Sequence, residues 1–312
     1  MHYLVTGGAG FLGSHLCARL HNLGHRVTAL DDLSSGNIEN IQWMIGRPKF
    51  KFIKHDIINP IQLDEIDGIF NLACPASPPF YQKDPIQTMM TCVTGAYNML
   101  QLADKNFCKI LQTSTSEVYG DPTVSPQRES YKGNVNCFGP RACYDEGKRA
   151  AEALFYDFHH KKNVDIRIVR IFNTYGPQMQ ANDGRVISNF IVQALDGAPI
   201  TVYGDGSQTR SFCYVDDMID GILTVWNSHI KTPVNVGNPA EFTMIEAANK
   251  IIKITGSRSK ITFHPLPKDD PKQRRPDISV ITELGWQPKI TLDKGVSSTV
   301  EYFQRKLFGV MK

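Results

Sequence analysis

The opening M-H-Y-L-V-T-G-G-A-G-F-L-G constrains this chain more than any other stretch. Residues 2 to 6 are a short apolar run of buried-strand type, and glycines at 7, 8, 10 and 13 follow at once, so the spacing predicts a tight turn into a helix. Glycine has no Cβ, which admits the turn and lets a pyrophosphate approach backbone N–H groups where the helix begins. The run phases as G-x-x-G-x-x-G at Gly7, Gly10 and Gly13, or as G-x-G-x-x-G from Gly8. Val27 to Leu30 form a second strand ending at Asp31, which completes a βαβ unit of dinucleotide-binding type. A merely structural turn would be the bland alternative.

Further apolar runs at Phe50 to Ile53, Gly68 to Leu72, Cys108 to Thr113 and Val164 to Ile171 alternate with helical patterns. That alternation predicts an α/β, Rossmann-like, doubly wound parallel sheet covered on both faces. Pro85 to Asp104 and Tyr144 to Lys161 are expected as long helices with more apolar surface than one sheet covers, the rest being covered either by a partner subunit or by burial within the monomer. After Gly176-Pro177 the rhythm is less regular. Helices are expected at Val186 to Leu195, Asp216 to Trp226 and Thr243 to Ile254, with short strands at Thr201 to Tyr203 and Val234 to Val236. Residues 1 to 176 are therefore expected to form mainly the dinucleotide domain. Residues 177 to 312 are expected to form mainly a smaller substrate lobe, with a segment near 204 to 230 interleaved into the first domain. The Pro-rich, charged P-L-P-K-D-D-P-K-Q-R-R-P-D at 265 to 277 is expected to be a loop, with its basic pair facing ligand.

With 41% hydrophobic and 21% charged residues, a chain of 312 residues can bury a sizeable core. A formal charge of +3 makes no case for a nucleic-acid or membrane partner. The seven cysteines form no close pair of metal-ligand type, so no metal is expected, and their odd number cannot close into a full disulfide framework. A reducing, cytoplasmic setting is expected, since the start of the chain lacks a signal peptide's basic and apolar regions; a removed N-terminal membrane anchor would leave no trace here.

Asp31 can accept hydrogen bonds from both hydroxyls of an adenosine ribose and would repel a 2'-phosphate, which favours NAD over NADP. Asp32, Ser35 and Gly36 are candidates to complete that pocket, and Asp56-Ile57 to border adenine; for Asp32 and Asp56 a turn cap serves equally. T-S-T-S-E-V-Y-G at 113 to 120 stands just beyond an apolar strand, at the sheet end where ligands bind. It supplies Thr115, Ser116 and Glu117, although Ser and Thr there can also cap backbone groups. Tyr144 and Lys148 stand four apart at a helix start. An ammonium beside a phenol would favour the phenolate, and a Thr115 hydroxyl could orient a substrate alcohol.

The glycine loop, T-S-T-S-E-V-Y-G, Tyr144-x-x-x-Lys148 and R-I-F-N-T-Y-G-P at 170 to 177 resemble the extended short-chain dehydrogenase/reductase superfamily. Within it, L-A-C-P-A-S-P-P-F-Y at 72 to 81, G-P-R-A-C-Y-D-E-G-K-R at 139 to 149 and N-D-G-R-V-I-S-N-F at 182 to 190 resemble the UDP-glucuronic acid decarboxylases, or UDP-xylose synthases. The resemblance implies Tyr144 as catalytic base, Lys148 as the residue that lowers its pKa while touching the nicotinamide ribose, and Thr115 beside the sugar's C4 oxygen. It implies Glu117 near C5 and Arg274 around the carboxylate or the protonation step. Phe11, Leu12 and Leu72 join the expected NAD contacts, and Pro79, Tyr81 and Arg141 the expected substrate contacts. Asn173, Arg185 and Arg210 have the donor chemistry for a nucleotide-sugar pyrophosphate, and Tyr203 could border uracil or pack in the lobe. Cys74 stands where relatives commonly carry serine. A nucleophilic Cys143 is not expected, because no histidine is placed locally to activate it.

The implied reaction is conversion of UDP-glucuronate to UDP-xylose and carbon dioxide through C4 oxidation, decarboxylation, C5 protonation and re-reduction. Alternatives are a UDP-apiose/UDP-xylose synthase, a nucleotide-sugar 4-epimerase or 4,6-dehydratase, and a non-catalytic NAD-binding scaffold. Ser116, where dehydratases resemble an acidic proton donor, argues against dehydration.

Overall fold

The computed structural model describes residues 1–266 and 273–309. The chain separates into two compact units, Met1–Val118 with Val135–Arg170 and Ile222–Val234, and Tyr119–Asn134 with Ile171–Gly221 and Asn235–Lys312. The chain passes between these units several times, and the crossing nearest 176 falls between Arg170 and Ile171. Residues 119 to 134 already belong to the second unit, and one crossing falls inside the helix Val215–Asn227.

The first unit is built on β1 (His2–Thr6), β2 (Arg26–Asp31), β3 (Phe50–Lys54), β4 (Gly68–Asn71), β5 (Lys109–Thr115) and β6 (Ile166–Ile171), with Pro233–Val236 at the far edge. The spatial order runs from Pro233–Val236 through β6, β5, β4, β1 and β2 to β3. β1 pairs in parallel with both β2 and β4, placing Thr6 opposite Leu30 on one side and Asn71 on the other. Strand order therefore reverses at β1. In an open parallel sheet such a reversal opens a crevice at the strands' carboxyl ends, where ligands bind.

Helices α1 (Phe11–Asn22), α2 (Pro85–Met90), α3 (Ala96–Lys105) and α4 (Ala142–Lys162) accompany this sheet, with Trp226 of Val215–Asn227 packing on Tyr3 and Phe70. Between α2 and α3 the expected single helix widens into one π turn, Thr91–Gly95. Gly95 lies there against Ile57, whose Cδ1 would sit 2.4 Å from any Cβ at that position. The apolar stripes of α3 and α4 meet the sheet in one core that joins Leu4, Leu30, Ile69 and Ile110 to Met99, Leu100, Phe155 and Phe158. Side chains of this size contribute roughly 1.5–3 kcal/mol each when fully buried, enough to hold the strand ends in fixed register.

In the second unit, helices Val186–Leu195, Met244–Thr255 and Leu292–Phe308 accompany short sheets. Thr243 and Glu246 cap Met244–Thr255 reciprocally, an arrangement worth about 1 kcal/mol. Ile200–Tyr203 pairs in parallel with Ile261–His264, and Thr209–Ser211 lies between Glu241–Thr243 and Gln273–Arg274. Part of the 265-to-277 loop is thereby corrected to a strand, because Gln273–Arg274 finds a partner edge in Thr209–Ser211. Residues 267 to 272 of that expected loop lie outside the described residues. No helix among the described residues is long and apolar enough to cross a membrane.

Candidate active site

At the switch point the glycine turn is fixed by contacts that admit no side chain. Gly7 sits at φ +65°, and a Cβ there would meet the Ala73 nitrogen at 2.9 Å. A Cβ on Gly13 would stand 2.0 Å from the Gly7 carbonyl oxygen, whereas one on Gly10 would meet only that oxygen, at 3.1 Å. Gly7 and Gly13 are thus required by packing, and Gly10 leaves space in front of the first turn of α1. The N–H groups of that turn, on Phe11, Leu12 and Gly13, have no carbonyl ahead of them in the helix and carry its positive end. This is a cradle for a pyrophosphate, and the residues present fit a dinucleotide.

Asp31 ends β2 with its carboxylate inside this region. Its oxygens accept from the Ala9 N–H at 3.0 Å and the Leu33 N–H at 2.8 Å. Burial pushes its carboxyl above the ordinary range, and these two donors partly offset that. Any Cβ on Gly36 would come within 2.6 Å of the carboxylate, so position 36 must be glycine for Asp31 to keep this place. Asp32 accepts from the N–H and hydroxyl of Ser34, a local turn cap, and Ser35 follows in the same turn. Asp56 accepts from Gln87 at 2.7 Å, and Ile57 is buried with its carbonyl held by Asn98.

One part of this crevice escapes sequence reasoning. The Thr6 hydroxyl donates to Asn71 at 2.7 Å and accepts from the Leu72 and Ala73 N–H groups at 3.1 Å. Asn71 in turn donates to Gln112 at 2.7 Å. Three buried polar side chains on adjacent strands thus tie together the loops after β1 and β4. Threonine directly before a glycine turn was the only local signal.

β5 runs two residues further than expected and ends on Thr115 itself, with Ser116–Tyr119 continuing as one 3-10 turn. Tyr144 and Lys148 lie in the first turns of α4, both almost fully buried. The Thr115 hydroxyl lies near the Tyr144 phenol and acts to lower its pKa. The Lys148 ammonium donates to the Thr113 carbonyl at 2.9 Å and stands 5.8 Å from the centre of the Tyr144 ring. The fold brings Thr115, Tyr144 and Lys148 together, yet the phenol is not lowered toward neutrality. Burial, with Cys74 adding to it, pushes the Tyr144 phenol well above its ordinary value, against the opposing effect of Thr115. Desolvation of an anion outweighs what these neighbours return.

Glu117 is joined to Arg141 at 2.6 Å, a pair with less than a fifth of either side chain exposed. Burial works against the Arg141 charge, but Glu117, Tyr81 and Asp145 more than reverse it. Pro79 is exposed on a single helical turn, Pro78–Tyr81, and Tyr81 at its end is buried. The Tyr81 ring stacks on Tyr144 with centres 5.1 Å apart and planes 2° from parallel. Its hydroxyl is buried without a hydrogen-bond partner among the described residues. Leu72 is half-buried at the end of β4, held by Thr6.

In the second unit, Arg210 and Arg274 are register partners on adjacent parallel strands, both buried. Side chains at paired positions leave the same face of a sheet, so two guanidinium groups share one side. Arg274 donates to the Gly120 carbonyl at 3.2 Å, and Arg210 to the Thr209 carbonyl at 2.9 Å. Arg185 stands at the position just before Val186–Leu195 and pairs with Asp183 at 3.2 Å. Asn173 is half-buried, and Tyr203 is exposed with its ring 6.1 Å from that of His264.

Residues 3–237 match the model of the NAD dependent epimerase/dehydratase family. Along its length the chain is also 50% identical over 305 residues to UDP-glucuronic acid decarboxylase 1 of Danio rerio, covering 97% of this chain and 73% of that one. The chain belongs to this family. NAD is the cofactor of the NAD dependent epimerase/dehydratase family, in keeping with the cradle and Asp31. UDP-glucuronic acid decarboxylase 5 of Arabidopsis thaliana is 50% identical over 314 residues, covering 100% of this chain and 92% of the relative. Among solved structures, the UDP-glucuronic acid 4-epimerase of Bacillus cereus in complex with UDP-glucuronic acid and NAD superposes with a TM-score of 0.86 at 27% identity, covering 98% of this chain and 100% of that one.

Proposed function

We propose that this family member decarboxylates UDP-glucuronate, giving UDP-xylose and carbon dioxide. The observation that carries the reading is half-identity to UDP-glucuronic acid decarboxylases over nearly the whole chain. The buried Thr115–Tyr144–Lys148 cluster gives that likeness a chemistry. NAD+, when bound by the glycine cradle and Asp31, supplies the acceptor for the C4 hydride and later its donor.

The chain's own residues handle protons and charge. Tyr144 takes the proton of the C4 hydroxyl, and the Lys148 ammonium favours the phenolate that does so. With C4 a ketone, the C6 carboxylate is β to it. Carbon dioxide leaves, and its bonding electrons form an enolate charge on the C4 oxygen, toward which the Thr115 and Tyr144 hydroxyls donate. C5 then takes a proton. One proton is consumed and one carbon dioxide released per substrate, with no net oxidation.

Glu117, fixed by Arg141, is assigned to the C5 region, and Arg274 to the charge of the substrate carboxylate. Arg185, Arg210 and Asn173 are assigned to the pyrophosphate, with Tyr203 at uracil and Pro79 and Tyr81 beside the sugar.

A homodimer fits the surface left by α2, α3 and α4, on which Ile86 is 77% exposed and Met90, Tyr97 and Tyr156 stay open to solvent. A monomer mass by light scattering would overturn this. The free cysteines suit a reducing cytoplasm.

The test is incubation with UDP-glucuronate and NAD+, reading nucleotide sugar and gas by NMR and mass spectrometry. UDP-xylose with equimolar carbon dioxide and no net NADH is expected. UDP-galacturonate would select epimerisation, UDP-apiose a bifunctional synthase, and unchanged substrate would overturn the reading.

A further inference from the structure

Two thiols face each other beside the reactive phenol. Cys74, in the loop after β4, and Cys92, in the π turn between α2 and α3, bring their sulfurs to 3.2 Å. A disulfide holds its sulfurs at about 2.05 Å, so closure needs the sulfurs to approach by about 1 Å. Cys92 is buried, whereas Cys74 is partly exposed. The hydrogen bond from Cys74 pulls the Cys92 thiol below its ordinary value, with the Lys148 ammonium acting in the same sense, while burial pushes Cys74 up.

What each cysteine is attached to gives the pair its significance. Cys74 follows Leu72 and Ala73, whose N–H groups are tied to Thr6 at the switch point. Cys92 packs on α4 at Gly147, where an added Cβ would lie 2.9 Å from the Cys92 Cβ. Gly147 immediately precedes Lys148. A bond between these sulfurs therefore links the loop at the cofactor crevice to the π turn that packs against the helix carrying Tyr144 and Lys148.

We propose that Cys74 and Cys92 are a redox modification site, closing reversibly into a disulfide that switches turnover off, with a low-molecular-weight disulfide as oxidant. One sulfur of the pair, as thiolate, attacks one sulfur of the oxidant, forming a mixed disulfide and releasing one small thiol. The other sulfur, as thiolate, then attacks the first, forming the internal bond and releasing the second small thiol. Two electrons pass from the cysteine pair to the oxidant, and the two cysteine protons leave on the released thiols. Drawing the sulfurs together moves either the crevice loop or the π turn packed against α4 by a distance of the order that costs about 10²-fold in rate when reacting groups are misplaced.

The switch rests on the proposed decarboxylation; the cross-link does not. The test treats the reduced full chain with glutathione disulfide at mildly alkaline pH, alkylates the remaining thiols and maps peptides by mass spectrometry, with the exposed Cys137 as internal control for access. A Cys74–Cys92 cross-linked peptide is expected, with turnover of UDP-glucuronate reduced at least about tenfold and restored by dithiothreitol. Cys92→Ala is expected to keep the basal rate and lose the inactivation. Cys74→Ser should resist inactivation in the same way and serves if the alanine variant does not fold. Cys74 and Cys92 both alkylated after Cys137 has fully reacted would overturn the modification site. A cross-link with unchanged turnover would overturn the switch. If neither redox form turns over UDP-glucuronate, the cross-link still decides the site, and NAD affinity, equal in both forms, would overturn the coupling.

Discussion

The glycine turn after β1 and the end of β5 with its partner helix α4 are parts of the same unit, but different forces hold them. At the turn the decisive contacts are backbone against backbone, as at Gly13, where 2.0 Å to the Gly7 carbonyl leaves no room for a methyl group. At β5 and α4 they are polar side chains withdrawn from water: Thr115 at 6% exposure, Tyr144 at 5% and Lys148 at 3%. At Gly13 that contact is between near neighbours in sequence, although Gly7 is held against Ala73, just past the adjacent strand β4. Desolvation depends on everything packed around a group, so its sign at Tyr144 emerges only from the assembled fold.

The largest effect is expected at the desolvated end. Tyr144→Phe removes the proton acceptor but keeps the ring stacked on Tyr81, so turnover should fall about 10³-fold, within the range for loss of a general base, with the melting temperature nearly unchanged. A loss under about tenfold would remove Tyr144 from the role assigned to it. Stability gives a second reading of the same phenol. Its folded pKa lies above the unfolded value of about 10, so its contribution is complete below pH 10 and is lost as pH rises through the folded value. The phenylalanine variant should lose that part of the alkaline slope.

Next comes Lys148→Met, expected to lower turnover about 10²-fold. Because burial holds the Tyr144 phenol up, the wild-type rate should climb with pH through the alkaline range as the phenolate forms. Without the ammonium the phenolate is harder to form, so the rising limb should move to higher pH. A pH–rate profile with an unmoved limb would leave Lys148 as a structural donor to Thr113 only.

At the glycine turn the same logic predicts a split between neighbours. Gly13→Ala places a methyl group against backbone that no rotamer can relieve and should cost about 1–3 kcal/mol or more, with NAD binding lost. Gly10→Ala meets one oxygen at 3.1 Å and should leave the melting temperature nearly unchanged while weakening NAD. Melting curves and NAD titrations of the pair would show whether the two glycines serve packing and ligand separately. Equal destabilisation would merge them.

The same division explains what the sequence disclosed. The glycine turn, Asp31 at the end of β2 and the alternation of strands and helices are local patterns, and the seven-stranded sheet follows them. The π turn at Thr91–Gly95 is different, because an apolar stripe of helical period passes through it without interruption. Thr6, Asn71 and Gln112 are far apart in the chain and meet only once β1, β4 and β5 are adjacent. Gln273–Arg274 had no strand signature and became a strand only because Thr209–Ser211 offered an edge. For the site, residue types and spacing indicated Thr115, Tyr144 and Lys148 as neighbours, but the direction of the phenol's shift required knowing its burial.

Tyr81 provides the smallest effect and the finest comparison, because it lies parallel to Tyr144 with its hydroxyl buried and unbonded among the described residues. A buried donor without an acceptor costs about 1–3 kcal/mol, so Tyr81→Phe should leave stability unchanged or raise it by up to about 1 kcal/mol. If the hydroxyl meets the sugar, as assigned, the same variant should raise KM for UDP-glucuronate several-fold with little change in kcat. Phenylalanine at 144 and phenylalanine at 81 would then separate the two stacked rings by readout, one through kcat and the other through KM. A fall in melting temperature for Tyr81→Phe would mean that this hydroxyl is bonded within the fold, and the contrast between a reacting phenol and a binding phenol would collapse.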